Sequence, residues 1–151
     1  MKYIFYGIAG LVVVGLIYVA LTAPKGDNGS VVNQPSTSTT GTWDTKTDEQ
    51  PPVTVVLTPI ELGKNIGTWK FAIVFDTHSG SLDDDMLAVA TLVDDKGNTY
   101  RPTAWEGSDP GGHHREGVLV FTAIDPMPPY VELKIRNVGS VPERSFTWEL
   151  K

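Results

Sequence analysis

The sequence predicts an all-β fold: an antiparallel β-sandwich of seven to eight strands, set behind an apolar N-terminal helix and a polar tether. Three observations carry this. Several short stretches alternate apolar and polar residues with period two, as strands with one inward face do. Turns rich in Pro and Gly separate them, at Thr58-Pro59, Asp109-Pro110-Gly111-Gly112, Asp125 to Pro129 and Gly139 to Pro142. Strands do not alternate with long helical patterns, so a parallel sheet is not expected.

Taken in order, Tyr3 to Ala23 is an uninterrupted apolar run with no charged residue. A helix of about 20 residues crosses the ~30 Å hydrocarbon layer, so residues 1–23 read as a transmembrane anchor. Tyr3, Tyr6 and Tyr18 lie toward its ends, where amphipathic rings prefer the interface. A cleaved signal peptide is the alternative; its apolar core is shorter, about 7–15 residues, and Ala23-Pro24 is a poor cleavage context. A short N-terminal flank before a long C-terminal domain predicts a single-pass protein whose bulk lies outside the cytoplasm. Residues 24–52 are dominated by Ser, Thr, Gly, Asn, Asp and Pro. Such a stretch buries too little apolar surface to offset its conformational entropy and reads as a flexible linker. Trp43 stands out within it, either docked on the domain or exposed.

The folded domain is expected over residues 53–151. Val53 to Leu57 reads as the first strand. Trp69, Phe71, Ile73 and Phe75 put an apolar face on the second. Met86 to Val93 is apolar on both faces and suits a central strand, with a short helix as the alternative. Asp94 to Asn98 is a turn, and Thr99 to Arg101 and Ala104-Trp105 continue the hairpin. Gly117 to Phe121 follows. Val131, Leu133 and Ile135 face inward on the strand from Tyr130 to Val138, and Phe146, Trp148 and Leu150 share a face on the last one. This spacing fits an immunoglobulin-like sandwich, with a small barrel as the alternative closure.

Composition narrows the function. The 151-residue chain has a net charge of −6, and residues 24–151 carry −7, eleven Lys and Arg against eighteen Asp and Glu. An acidic domain is poorly suited to nucleic acid, which is bound by a basic surface that displaces counterions. It favours cations. With no cysteine, disulfides and thiolate metal sites are excluded, so the core alone must hold the domain. There is no G-x-S-x-G elbow, and Asp76, His78 and Ser79 are too close in sequence to face one another from one strand. An enzyme is not expected.

The candidate chemistry lies between Asp76 and Glu116, which bracket all three histidines, His78, His113 and His114. All three lie beside turns at strand ends. Should one end of the domain gather them with Asp76 or Asp85, imidazole nitrogens and a carboxylate oxygen would form a zinc or copper site. Neighbouring His113 and His114 point to opposite faces of a regular strand, so one would serve as ligand and the other in packing. Asp83-Asp84-Asp85 does not fit the twelve-residue calcium loop. Arg115 and Arg144 are expected to pair with the adjacent Glu116 and Glu143, while Trp69, Trp105 and Trp148 are expected to anchor the core.

The pattern Phe75-Asp76-Thr77-His78, then Gly111 to Leu119, then Glu143 to Trp148 resembles that of small exported or membrane-anchored β-sandwich domains over about residues 55–150. This resemblance carries no activity to transfer. A weaker resemblance is to periplasmic copper-binding β-sandwiches, which place a histidine at the start of the mature domain; this chain has none there. Two functions are therefore expected: a membrane-anchored, extracytoplasmic domain that binds a divalent transition metal, or a non-catalytic structural or protein-interaction module of the cell envelope with no metal.

Overall fold

The computed structural model describes residues 43–151, which form an all-β unit of nine strands in two antiparallel sheets. The strands are β1 (Lys46–Asp48), β2 (Val53–Glu61), β3 (Thr68–Thr77), β4 (Ala90–Asp94), β5 (Thr99–Tyr100), β6 (Ala104–Gly107), β7 (His114–Thr122), β8 (Tyr130–Val138) and β9 (Val141–Glu149). One short helix, α1 (Met86–Val89), precedes β4. The first sheet has the order β1-β2-β3-β7-β6 and the second β5-β4-β8-β9. Among the described residues no strand pair joins the two sheets, so they form separate layers and not the closed barrel weighed as the alternative.

The inward faces are those the period-two pattern predicts. Trp69, Phe71, Ile73 and Phe75 of β3 are fully buried, as are Val131, Leu133 and Ile135 of β8. Phe146, Trp148 and Leu150 are buried with them. Residues of both sheets meet in one cluster, where the Phe71 and Trp148 rings lie 5.5 Å apart and Phe121 meets Phe71 edge-on at 5.8 Å. Such pairs add about 0.5–1.5 kcal/mol beyond the area they bury.

Three details differ from the expected elements. Met86 to Val89 forms the short helix weighed as the alternative to a strand there, and the strand begins only at Ala90. Asp85 explains the start: its side chain accepts the Leu87 amide at 3.0 Å and caps the helix. The folded unit also reaches further back than residue 53. β1 lies within the stretch read as a linker and pairs with β2, Lys46 opposite Leu57. Trp43 is docked, half-buried against the core. The expected anchor, residues 1–23, and the linker residues before Trp43 lie outside the described residues. Among the described residues no helix is long and apolar enough to cross a membrane.

The third difference concerns the arginines. Arg144, on β9, does not pair with Glu143. It is 1% exposed and donates to Asp48 Oδ1 at 3.0 Å and to the carbonyls of Val138, Gln50 and Val53 at 2.7, 2.9 and 3.0 Å. One guanidinium thus ties the segment between β1 and β2 to the β8–β9 hairpin. Trp148 adds a second tie by donating Nε1–H to the Asp44 carbonyl at 2.9 Å. Glu143 instead accepts from Lys134 and Arg136, at 2.9 and 2.7 Å, and these cations hold its carboxyl below its usual pKa. The hairpin turn is Gly139-Ser140, both with φ near +60°, and a Cβ on Gly139 would fall 2.5 Å from Val53 Cγ2.

The β4–β5 turn is organised by the buried Asp94 carboxylate. It accepts from the Asn98 side chain and amide at 2.8 Å each, the Lys96 amide at 2.9 Å and the Tyr100 hydroxyl at 2.9 Å. These donors, the Asn98 side chain foremost, lower its pKa to about 2 against a partial opposing effect of burial. Its contribution to stability is therefore present above the unfolded carboxyl pKa and is lost as pH falls toward 2.

Replacing Arg144 with Ala removes the guanidinium donor from Asp48 and from three carbonyls. We expect a loss of about 3 kcal/mol or more, read as a lower urea midpoint at unchanged slope. A midpoint within error of wild type would refute the clamp.

Candidate functional site

β3 and β7 are neighbours, and their register fixes what the histidines can do. Asp76 lies opposite His114, and the Thr77 amide donates to the His113 carbonyl at 2.8 Å. The end of β3 therefore lies beside the start of β7, and His78, His113 and His114 all belong to one end of the first sheet. The shared end expected from the sequence is present, but only part of the expected cluster forms.

His114 is the organised member. Its Nδ1 lies 2.6 Å from Asp76 Oδ1 across the strands, and its Nε2 lies 3.6 Å from Glu116 Oε2, two residues along the same face of β7. All three side chains are more than half exposed on the outer face. The hydrogen bond to Asp76 raises the His114 pKa; desolvation opposes it, and the negative charges of Asp76 and Glu116 add to the rise. His78 and His113 are exposed, and neither side chain hydrogen-bonds to another group among the described residues. Asp85 is engaged as the helix cap. Among the described residues no group of three or more His, Asp or Glu side chains is arranged to hold a metal ion. Of the predicted residues the fold thus joins Asp76 to His114 and adds Glu116.

The inward face of the same strand carries chemistry that sequence reasoning assigned differently. Arg115, between His114 and Glu116, points into the domain and is 2% exposed. It does not pair with Glu116. It donates to the carbonyls of Asp84, Leu82 and Ser108 at 2.6, 3.2 and 3.3 Å, and so fixes both the loop before α1 and the turn after β6. Its guanidinium sits 5.3 Å from the Trp105 ring centre. Trp105 in turn lies where two Cβ atoms would be: Gly107 and Gly117 are paired across β6 and β7, and a Cβ on either would come within 2.6 Å of the indole. The signal was legible as Trp105-x-Gly107 and Arg115-x-Gly117, two i,i+2 pairs that place a large group and a glycine on one face.

Fold and site together define a two-sheet all-β domain with its titratable cluster on an open sheet face. Comparisons with protein-family models, curated proteins and solved structures found nothing that matches this chain.

The Asp76–His114 pair is open to a direct test by proton NMR. Because folding favours the protonated imidazole, its contribution is complete below the unfolded value of about 6.5 and is lost as pH rises through the higher folded midpoint. Asp76→Asn should lower the His114 midpoint; an unmoved midpoint would show that the pair does not form in solution.

Proposed function

We propose that the chain is a non-catalytic interaction module, held to a membrane by residues 1–23 and displayed outside the cytoplasm on a polar tether. One observation carries the reading. The buried arginines of the domain, Arg115 and Arg144, spend their donors on Asp48 and on loop and strand carbonyls, whereas Asp76, His114 and Glu116 face solvent on a sheet. Partner recognition then falls to strand surfaces. The strand order is compatible with an immunoglobulin-like sandwich: β2-β3-β7-β6 corresponds to the A-B-E-D sheet and β5-β4-β8-β9 to the other, with β1 added at the edge. Catalysis is not part of the reading, because a base on an open face cannot exclude water from a reacting group.

A second reading, a weak zinc or copper site, is favoured by the His114 geometry alone. A carboxylate on Nδ1 is the usual orienter of a metal-bound imidazole, and it leaves Nε2 free. Two ligand atoms on one tetrahedral ion lie about 3.3 Å apart, given bonds of about 2 Å, and Nε2 and Glu116 Oε2 are separated by 3.6 Å. Water would have to supply the other positions.

Display is tested with Ser79→Cys, an exposed position in a chain that has no other cysteine. A membrane-impermeant maleimide should label it in intact cells; labelling only after the membrane is opened would overturn the topology. For the metal reading, calorimetric titration with Zn²⁺ and Cu²⁺ should show binding that His114→Ala abolishes and His78→Ala preserves. Absence of heat from the wild-type chain would dispose of that reading.

A further inference from the structure

The edges of the two sheets are unequal. β1, β5 and β6, with three, two and four residues, end three of them, whereas β9 ends the second sheet with nine. Among the described residues no backbone group outside β8 hydrogen-bonds to Val141–Glu149. A long free edge is a template for another strand, and soluble domains ordinarily blunt it with proline, charge or a bulge. Here Pro142, Glu143 and the inward Arg144 guard the beginning, and Glu149 stands at the end. Between them and the terminal Glu149, Ser145-Phe146-Thr147-Trp148 is uncharged and rich in residues that favour strands. Phe146 and Trp148 point into the core, while Glu143, Ser145, Thr147 and Glu149 are exposed on the outer face. Another strand can thus join this edge without unpacking the interior.

We propose that this edge takes a second copy of the chain: β9 pairs antiparallel with β9 of the partner about a two-fold axis at Thr147. The inference rests on the interaction-module reading. Charge selects the occupant and the register. Centring the axis on Phe146 would set Glu143 against Glu149 of the partner subunit twice, a like-charge contact that opposes pairing. Centring it on Ser145 pairs no opposite charges. With the axis at Thr147, Glu143 meets Lys151 of the partner subunit at both ends, and Ser145 meets Glu149 of the partner subunit. Glu143 is already held by Arg136 and Lys134, so the partner's Lys151 extends a ladder of alternating charge across the joined sheets. Thr147 meets its own copy at the axis, a pairing suited to mutual hydroxyl contact. The result is an isologous contact that continues the four-stranded sheet into one of eight.

The test uses the full chain, which has no native cysteine. Thr147→Cys puts a thiol at the axis, and mild oxidation should give a covalent dimer on a non-reducing gel. Thr122→Cys, exposed at the end of β7, serves as the collisional control and should cross-link at least several-fold less. Association through residues 1–23 would raise both yields together, so their ratio reports β9. Adding Lys151→Glu to Thr147→Cys should lower the yield several-fold by turning both end contacts repulsive. Equal yields for the two cysteines, or a Thr147→Cys yield indifferent to Lys151→Glu, would overturn the pairing. Normal maleimide labelling of Ser79→Cys alongside such a result would leave the displayed module intact and remove only its self-association.

Discussion

The interior guanidinium of Arg144 is the constraint on which the folded unit depends. Moving such a group out of water costs several kcal/mol, and only a full set of acceptors offsets it. Its acceptors here come from two stretches: Asp48, Gln50 and Val53, 96, 94 and 91 residues away in sequence, and Val138 at the end of β8, six residues away. Satisfying one side chain therefore requires the segment after β1 to lie against the β8–β9 hairpin. The hydrophobic core alone imposes no such condition, because apolar contact has no direction. Gly139 makes the approach possible, since a side chain there would collide with Val53.

Arg115 applies the same rule at the loop before α1 and at the turn after β6. Its carbonyl acceptors at Leu82, Asp84 and Ser108 hold two irregular segments whose own backbone bonds are few. Leu82 additionally exchanges backbone hydrogen bonds with Gly111 and Gly112, which joins this loop to the turn carrying His113. The outer-face pair of Asp76 and His114 thus sits on a strand junction braced from beneath by a buried cation. Its geometry is set by the β3–β7 ladder, while its charge state is set by solvent and two carboxylates.

The sequence made the strands legible because alternation is a local property, and burial of every second residue on β3, β8 and β9 follows it. It also showed that each histidine flanks a turn at a strand end, but it left open whether those ends adjoin, which only the β3–β7 pairing decides. What it obscured depends on partners far along the chain. Lys46-Thr47-Asp48 has no apolar pattern to mark it as a strand; β1 forms because β2 offers an edge and Arg144 holds Asp48. Arg115 and Arg144 stand beside glutamates in sequence, yet neighbours on a strand face opposite ways, so Glu116 and Glu143 were the residues least able to meet them. Asp85 reads as a ligand candidate until the Leu87 amide is placed, whereupon it is a cap.

The absence of cysteine gives these distinctions functional weight. A domain of this size has a stability of roughly 5–15 kcal/mol, and no covalent bridge raises it. A ligand cavity in the core would forfeit packing, at about 2–5 kcal/mol for each large side chain removed, and an unpaired buried charge would cost comparable amounts. The chain instead fills its core with Trp69, Phe71, Phe75 and Phe121 and gives each buried guanidinium at least three acceptors. Buried structural groups and exposed polar groups thereby occupy opposite faces of the same strands. On β7, Arg115 points inward to the loop carbonyls while His114 and Glu116 point outward to solvent; on β9, Arg144, Phe146 and Trp148 secure the core while Ser145 and Thr147 remain free. Substitutions on the outer faces therefore leave the packing of the core intact, and under the proposed interaction-module reading they would retune binding without passing through a destabilised core.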